Sequence, residues 1–136
     1  MKHTLLLLLL LCSFACFSYT QQSVYDFDIK HWGSSDGLAS NSVRAVSQDA
    51  QGYIWLATQY GLNRFDGVQF EHFSKETQRH LASNVTTRLL ADSRGYMWVG
   101  TKAGLSGFDP ATLTFDRYQI LSEVTAIVEV LPGEIW

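Results

Sequence analysis

A stretch of this chain occurs twice. Ser40-Asn41, Asp49, Gly52-Tyr53, Trp55, Thr58, Gly61-Leu62 and Phe65-Asp66 recur 43 positions later as Ser83-Asn84, Asp92, Gly95-Tyr96, Trp98, Thr101, Gly104-Leu105 and Phe108-Asp109. Beyond Asp109 the second copy holds two extra residues, so Phe70 and Phe73 answer to Phe115 and Tyr118 at a shift of 45. A third, partial copy starts at Val124, with Gly133 and Trp136 repeating Gly95 and Trp98 at a shift of 38. A period of this length belongs to propeller blades or to helical solenoids, and hydrophobic periodicity separates the two. Here short aromatic and β-branched runs are broken by Gly and Asp, with no apolar stripe at helical spacing, so the repeats read as strands. One such unit cannot bury its own apolar face and is stabilised by neighbours stacked on either side.

Each repeat reads as four strands. Val43 to Gln48 forms the first, and Asp49-Ala50-Gln51-Gly52 supplies a turn, with Asp accepting local N–H bonds and Gly taking a left-handed conformation. Tyr53 to Thr58 is the second strand. Tyr53, Trp55 and Ala57 fall on one face, Ile54, Leu56 and Thr58 on the other, and both faces are apolar, as in a sheet packed between two others. After a turn at Gln59-Tyr60-Gly61, Leu62 to Phe65 is the third strand. Asp66-Gly67 then signals a hairpin into a fourth, Val68 to Phe73. In the second copy Asp109-Pro110 turns into Thr114 to Tyr118. Ile29-Lys30-His31-Trp32 has the same spacing of large apolar residues as the fourth strands, and reads as an extra fourth strand suited to closing a ring. The expected divisions are a leader over 1–20, an N-terminal strand and lead-in loop over 21–39, blades over 40–82 and 83–123, and the start of a third blade over 124–136.

The first twenty residues differ in kind. Lys2 and His3 precede an apolar run from Leu5 to Phe17, followed by small and polar residues, the layout of a removable export signal and too short to span a bilayer. Both cysteines, Cys12 and Cys16, lie inside it, so the remainder relies on packing and not on disulfides. Without Lys2 the chain carries thirteen acidic against nine basic residues, a net charge of −4. No basic cluster is visible in the sequence, which gives no electrostatic support for nucleic acid or an anionic membrane as partner.

Candidate chemistry is sparse. Trp55, Trp98 and Trp136 recur once per repeat in mid-strand, which makes them wedges between units and not sugar platforms. Asp49 and Asp92 offer one carboxylate per turn, short of the six to eight oxygens calcium takes. The four histidines have no metal-binding spacing, and no nucleophile motif, phosphate loop or phosphoacceptor histidine is present, so no cofactor, metal or catalytic residue is expected. The repeated residues Asp49, Gly52, Trp55, Thr58, Gly61 and Leu62, with Asp92, Gly95, Trp98, Thr101, Gly104, Leu105, Gly133 and Trp136, are framework. Where the copies differ, at Gln59-Tyr60 against Lys102-Ala103 and along Ser34 to Ser40 and Ser74 to Asn84, the loops are expected on one rim. Tyr60, Arg79, His80 and Lys102 are the candidates for ligand contact there.

The run Asp-x-x-Gly-Tyr-x-Trp-x-Ala/Gly-Thr-x-x-Gly-Leu-x-x-Phe-Asp, at Asp49 to Asp66 and again at Asp92 to Asp109, resembles the two-component regulator propeller repeat. The preceding Asp36-Gly37-Leu38-Ala39-Ser40-Asn41-Ser42-Val43 resembles the sequence that leads into that family's first repeat. The resemblance implies an all-β chain of four-stranded antiparallel blades. About two and a half blades of an incomplete, seven-bladed propeller would be present, since seven units need roughly 300 residues. It also implies an exported sensor that recognises an extracellular or periplasmic ligand, oligosaccharide among the possibilities, and drives a histidine kinase or diguanylate cyclase carried elsewhere on the polypeptide. The expected partners are further blades and signalling domains, with self-association of these blades on their own. A secreted propeller enzyme of the lyase type and a protein-interaction scaffold are the alternatives, because the fold does not fix the function.

Overall fold

The computed structural model describes residues 28–136, so the leader and both cysteines lie outside the described residues. Residues 28–30 belong to a first unit and carry no regular structure; the second unit, His31–Trp136, holds the sheets. Two four-stranded antiparallel sheets follow one another in chain order. The first is β1 (Val43–Gln48), β2 (Ile54–Thr58), β3 (Gly61–Phe65) and β4 (Phe70–Phe73); the second is β5 (Thr86–Ala91), β6 (Met97–Thr101), β7 (Gly104–Asp109) and β8 (Thr114–Tyr118). A two-stranded hairpin, β9 (Glu129–Leu131) and β10 (Glu134–Ile135), belongs to the third, partial copy of the repeat. Each sheet is a meander, every strand pairing with the next, which is the blade arrangement the repeat implies.

The register sets the faces. Trp55 lies opposite Arg64 and Arg64 opposite Glu71, while Ala57 lies opposite Leu62 and Leu62 opposite Phe73. Cross-strand neighbours share a face, so these residues form the side of the first blade that turns to the second. There Trp55, Leu62 and Phe73 meet Leu81, Met97, Val99, Phe108 and Phe115 in one buried cluster. Trp55 is fully buried, its ring stacked on Phe73 at 5.6 Å and tilted on Phe108 at 4.9 Å. Aromatic pairs at such separations add to the free energy of apolar burial, which is the main force joining the blades.

The junction is also sewn by hydrogen bonds. The buried Thr86 hydroxyl accepts the Thr58 N–H at 2.7 Å, and its own proton lies between the carbonyls of Thr58 at 2.8 Å and Gly61 at 3.1 Å. At the next junction Val124 takes the corresponding place and uses its backbone instead, its N–H donating to Thr101 O at 3.0 Å. Thr86→Val keeps the shape and orphans the Thr58 N–H. It is expected to cost about 1–3 kcal/mol in urea unfolding.

The connection between blades repeats further than the strands alone suggest. Leu38-Ala39 precedes Ser40-Asn41 as Leu81-Ala82 precedes Ser83-Asn84. Both leucines are buried. The Ala39 N–H donates to Asn63 Oδ1 on β3, the Ala82 N–H to Ser106 Oγ on β7. Asn41 and Asn84 each accept a backbone N–H from the beginning of their own loop, from Ser34 and Lys75 respectively. Asn84, which fits a glycosylation acceptor pattern, therefore has its amide engaged in closing this loop.

Two strand expectations change. The fourth strand begins at Phe70 and not at Val68, because Asp66 Oδ1 accepts the N–H groups of both Val68 and Gln69 at 2.8 Å and holds 66–69 as a turn. Ile29-Lys30-His31-Trp32, expected as a strand, pairs with no strand among the described residues. The blade that this segment was expected to complete is not one of the two described sheets, whose outer places are filled by β4 and β8. Trp32 instead lays its ring on Phe65 at 4.7 Å and Phe70 at 6.1 Å, on the face of the first blade turned away from the second.

Candidate functional site

The turn that recurs in both complete copies is built around one carboxylate. Asp49 Oδ1 accepts the N–H groups of Gln51 at 3.0 Å and Tyr53 at 2.9 Å, while Oδ2 accepts the indole N–H of Trp55 at 2.7 Å. Asp92 does the same for Arg94, Tyr96 and Trp98, at 3.0, 2.9 and 3.0 Å. Gly52 and Gly95 complete these turns with φ of 92° and 85°. Both aspartates are buried, and neither oxygen pair is left open for a ligand. These carboxylates are clamps that orient the tryptophans. Thr58 and Thr101 close the next turn in each copy, their hydroxyls donating to Gly61 O and Gly104 O at 2.7 and 2.8 Å.

The third, partial copy departs from this plan. Val130 stands where the other copies have the clamp aspartate, and Trp136 is 74% exposed with its indole N–H on Glu134. Glu129 takes over the turn: its carboxylate accepts from Gly133 N at 2.7 Å and from both the N–H and the hydroxyl of Ser93 at 2.8 Å. The Gly133 N–H, followed by Ser93, holds the Glu129 carboxyl below its usual range. Leu105 and Trp98, on the far face of the second blade, line a groove of about 410 Å³ with Tyr118, Ile120 and Trp136.

The four candidate contact residues are not gathered at one rim. Tyr60 is exposed in the β2–β3 turn, where its carbonyl accepts from His72 Nε2 at 2.8 Å. Lys102 is exposed in the β6–β7 turn, whose backbone is tied to Val85 O at 3.0 Å. These two turns lie at the same end of their sheets, bridged through Val85 and Thr86. Arg79 and His80 lie elsewhere. The connecting segment descends over the outer half of the second blade, where Ser106 Oγ holds both His80 O and Ala82 N and His80 Nδ1 donates to Phe115 O at 2.7 Å. That course lets Leu81 enter the core, and it sets Arg79 and His80 along a groove of about 570 Å³ with Thr114 and Asp116, at the β7–β8 hairpin end. Leu113, in that hairpin, is the one non-glycine residue with positive φ among the described residues, at 57°.

Sequence reasoning passed over the outer half of the first blade. Arg64 lies over the Tyr53 ring, its guanidinium carbon 4.5 Å from the centroid, and pairs with Glu71. A cleft of about 430 Å³ opens beside them, bordered by Asp66, Gln69 and Phe70. Arg64 and Glu71 are seven residues apart with nothing in the sequence to link them; only the β3–β4 register does so.

Comparison with known proteins agrees with this architecture. The family described as two component regulator propeller matches at residues 37–60 and 80–103. The extracellular domain of the hybrid two component system BT3049 from B. thetaiotaomicron superposes with a TM-score of 0.72 at 31% identity, over 79% of this chain and 17% of that one. The corresponding domain of BT4673 from the same organism shares the fold, with a TM-score of 0.60 at 19% identity over 81% of this chain and 17% of that one. Histidine kinase P4 of Formosa agariphila is 39% identical over 62 residues, which is 46% of this chain and 4% of the kinase. The chain thus spans a small part of the length of each relative. Among the described residues no helix is long and apolar enough to cross a membrane.

Proposed function

Because this chain, through its two matched repeats, belongs to the two-component regulator propeller family, we infer that it forms part of the extracytoplasmic sensing propeller of a two-component system. In this reading the chain is not itself catalytic. It presents loops and clefts on stacked blades, and further blades and an output such as a histidine kinase are carried on the same polypeptide. The observation that carries the reading is the 31% identity to the BT3049 extracellular domain, extending over 79% of this chain. Two further features support it. The leader-like sequence over 1–20 suits export, and the interblade core is framework that leaves loop and outer-face residues free to differ between copies.

A ligand acts on such a device only through its difference in affinity for two arrangements of the propeller and its neighbours. The test is autophosphorylation in membranes of the polypeptide that carries this chain, with and without fractions of extracellular polymer digests. A fraction-dependent change in phosphate incorporation is expected, and it should disappear when the two blades are replaced by unrelated ones. Phosphorylation that ignores every fraction would overturn the reading.

A further inference from the structure

The second blade is joined to its two neighbours in different ways. Toward the first blade the junction is the buried aromatic cluster together with the buried Thr86 hydroxyl. Toward the third, partial copy, the inner strand β5 and the turn after it reach out with successive polar side chains. Thr87 Oγ1 donates to Val124 O at 2.7 Å, and Arg88 Nε to Thr125 O at 2.7 Å. Ser93 donates both its N–H and its hydroxyl to the Glu129 carboxylate at 2.8 Å, and Arg94 donates to Gly133 O at 3.4 Å. Arg44, Ala45, Ala50 and Gln51 stand at the corresponding positions of the first blade, and the two alanines have no polar side-chain atom to offer. The receiving position changes as well, since Glu129 answers to Ala91 of the second blade at a shift of 38. The two positions filled by Ala50 and Ala91 at the first junction are therefore filled by Ser93 and Glu129 at the second, which exchanges an apolar pair for a hydrogen-bonded one.

We propose that Glu129 latches the third copy onto the second blade, forming a seam that opens on its own while the first two blades stay joined, and that the latch is released when this carboxylate loses its charge. As an anion Glu129 offers acceptors only, and three donors converge on it: the N–H and hydroxyl of Ser93 and the Gly133 N–H at 2.7 Å. One carboxylate thereby ties the β5–β6 turn to the β9–β10 turn. A proton on it would set a donor among donors. The charged groups around it are otherwise engaged. On the β5–β6 turn Asp92 is bound to the Trp98 indole and repels Glu129, and Arg94 pairs with Asp92 at 3.5 Å. Arg88 on β5 is held by the carbonyls of Thr87 and Thr125, and Glu134 on β10 accepts the Trp136 indole N–H. The Gly133 N–H and Ser93 keep the Glu129 carboxyl below its usual range against burial and Asp92. The latch is therefore whole above the unfolded value of about 4.3 and is lost as pH falls toward the folded one. Ser93 is exposed and Glu129 half-buried, whereas Thr86 and Trp55 at the first junction are fully buried. Polar bonds within reach of water belong to the part of a fold that opens first. For its use in signalling the seam rests on the sensing reading, which needs an element with two arrangements, while the latch itself rests on the geometry alone.

Two amides report the two junctions separately. The Val124 N–H bonds to Thr101 O across the second, and the Thr58 N–H bonds to Thr86 Oγ1 across the first. The test is hydrogen exchange at both, followed by NMR in the full chain and corrected for the intrinsic pH dependence of exchange. Glu129→Ala is expected to speed exchange at Val124 about tenfold or more and to leave Thr58 unchanged. Ser93→Ala should act in the same direction but more weakly, because the Ser93 N–H remains, and the double variant should add little to Glu129→Ala. As pH drops from about 6 to about 3, protection at Val124 should fall more steeply in the unaltered protein than in Glu129→Ala. Exchange at Val124 that ignores Glu129→Ala, or that rises equally at both amides, would overturn the latch, and an equal acid fall in protein and variant would overturn its release by charge. Autophosphorylation of the polypeptide that carries this chain, if indifferent to Glu129→Ala while the Val124 amide responds, would retain the latch and remove its part in sensing.

Discussion

Asp49→Ala is expected to destabilise the protein by about 3–5 kcal/mol, because the carboxylate satisfies three donors and only one of them can turn to water. The Gln51 amide is exposed, but the Trp55 indole N–H is fully buried and the Tyr53 amide is half-buried. Leaving two such donors unpaired costs about 1–3 kcal/mol each. Asp49→Asn retains one acceptor oxygen but sets an amide NH2 where the indole N–H needs an acceptor, so its expected cost is smaller, about 1–2 kcal/mol. Urea unfolding of Asp49→Ala, Trp55→Phe and the double variant separates the clamp from simple packing. A coupling of about 1 kcal/mol or more is expected, and strict additivity would refute the clamp. The equivalent Asp92 also makes stability depend on acid. Burial works to raise its carboxyl, but the Trp98 indole N–H and the amides of Tyr96 and Arg94 outweigh burial and hold it below the usual aspartate range. A lowered folded value means that the stabilisation is complete above the unfolded value near 4 and is lost as pH falls toward the folded one. Asp92→Asn should flatten that acid limb.

Gly104→Ala is the second large effect, expected at about 3–5 kcal/mol. Gly61 and Gly104 begin β3 and β7 with φ of 125° and 132°, a region that costs a side-chain-bearing residue about 1–3 kcal/mol. A Cβ would also overlap the carbonyl oxygen of Phe73 at Gly61 and of Ile120 at Gly104, where the chain leaves the fourth strand. Backbone cannot step aside as a flexible side chain can, so the strand exit must move, at a further cost of about 1–3 kcal/mol. Gly67→Ala is the control. Its φ is 101° but nothing lies within 4 Å of the added methyl group, so only the conformational part, about 1 kcal/mol, is expected. Equal losses in the two variants would show that backbone conformation alone, and not the close approach, selects glycine in the repeat.

Most of the sheet was legible from the repeat. The period of two along Tyr53 to Thr58 placed Trp55 and Ala57 on one face and Ile54 and Leu56 on the other, and the register of β2 and β3 has them so. The first strand spans Val43–Gln48 and the last of the second blade Thr114–Tyr118, as the spacing implied. The link between Asp49 and Trp55 also had a signal that went unread: the pair recurs at the same separation as Asp92 and Trp98. What misled was the assumption that a whole loop follows the rim. Leu81 is apolar and draws its neighbours down the blade face, so Arg79 and His80 part from Lys102.

The sequence by itself determined the strands, their turns and the order in which they pair, because these follow from interactions within a few residues: the pleat of a strand, the left-handed freedom of a glycine, the reach of an aspartate side chain across its own turn. Only the tertiary structure decided which face of a blade is sealed and which is open, where the connecting segment descends, and that Arg64 stands between Tyr53 and Glu71 in one blade where Tyr96 meets Asp116 in the other. Those outcomes depend on the register between distant strands and on the volume left when two sheets stack. The stretch around each tyrosine does not carry that information, since the same tyrosine and the same kind of carboxylate are joined or separated by whether the residue across the sheet is glycine or arginine.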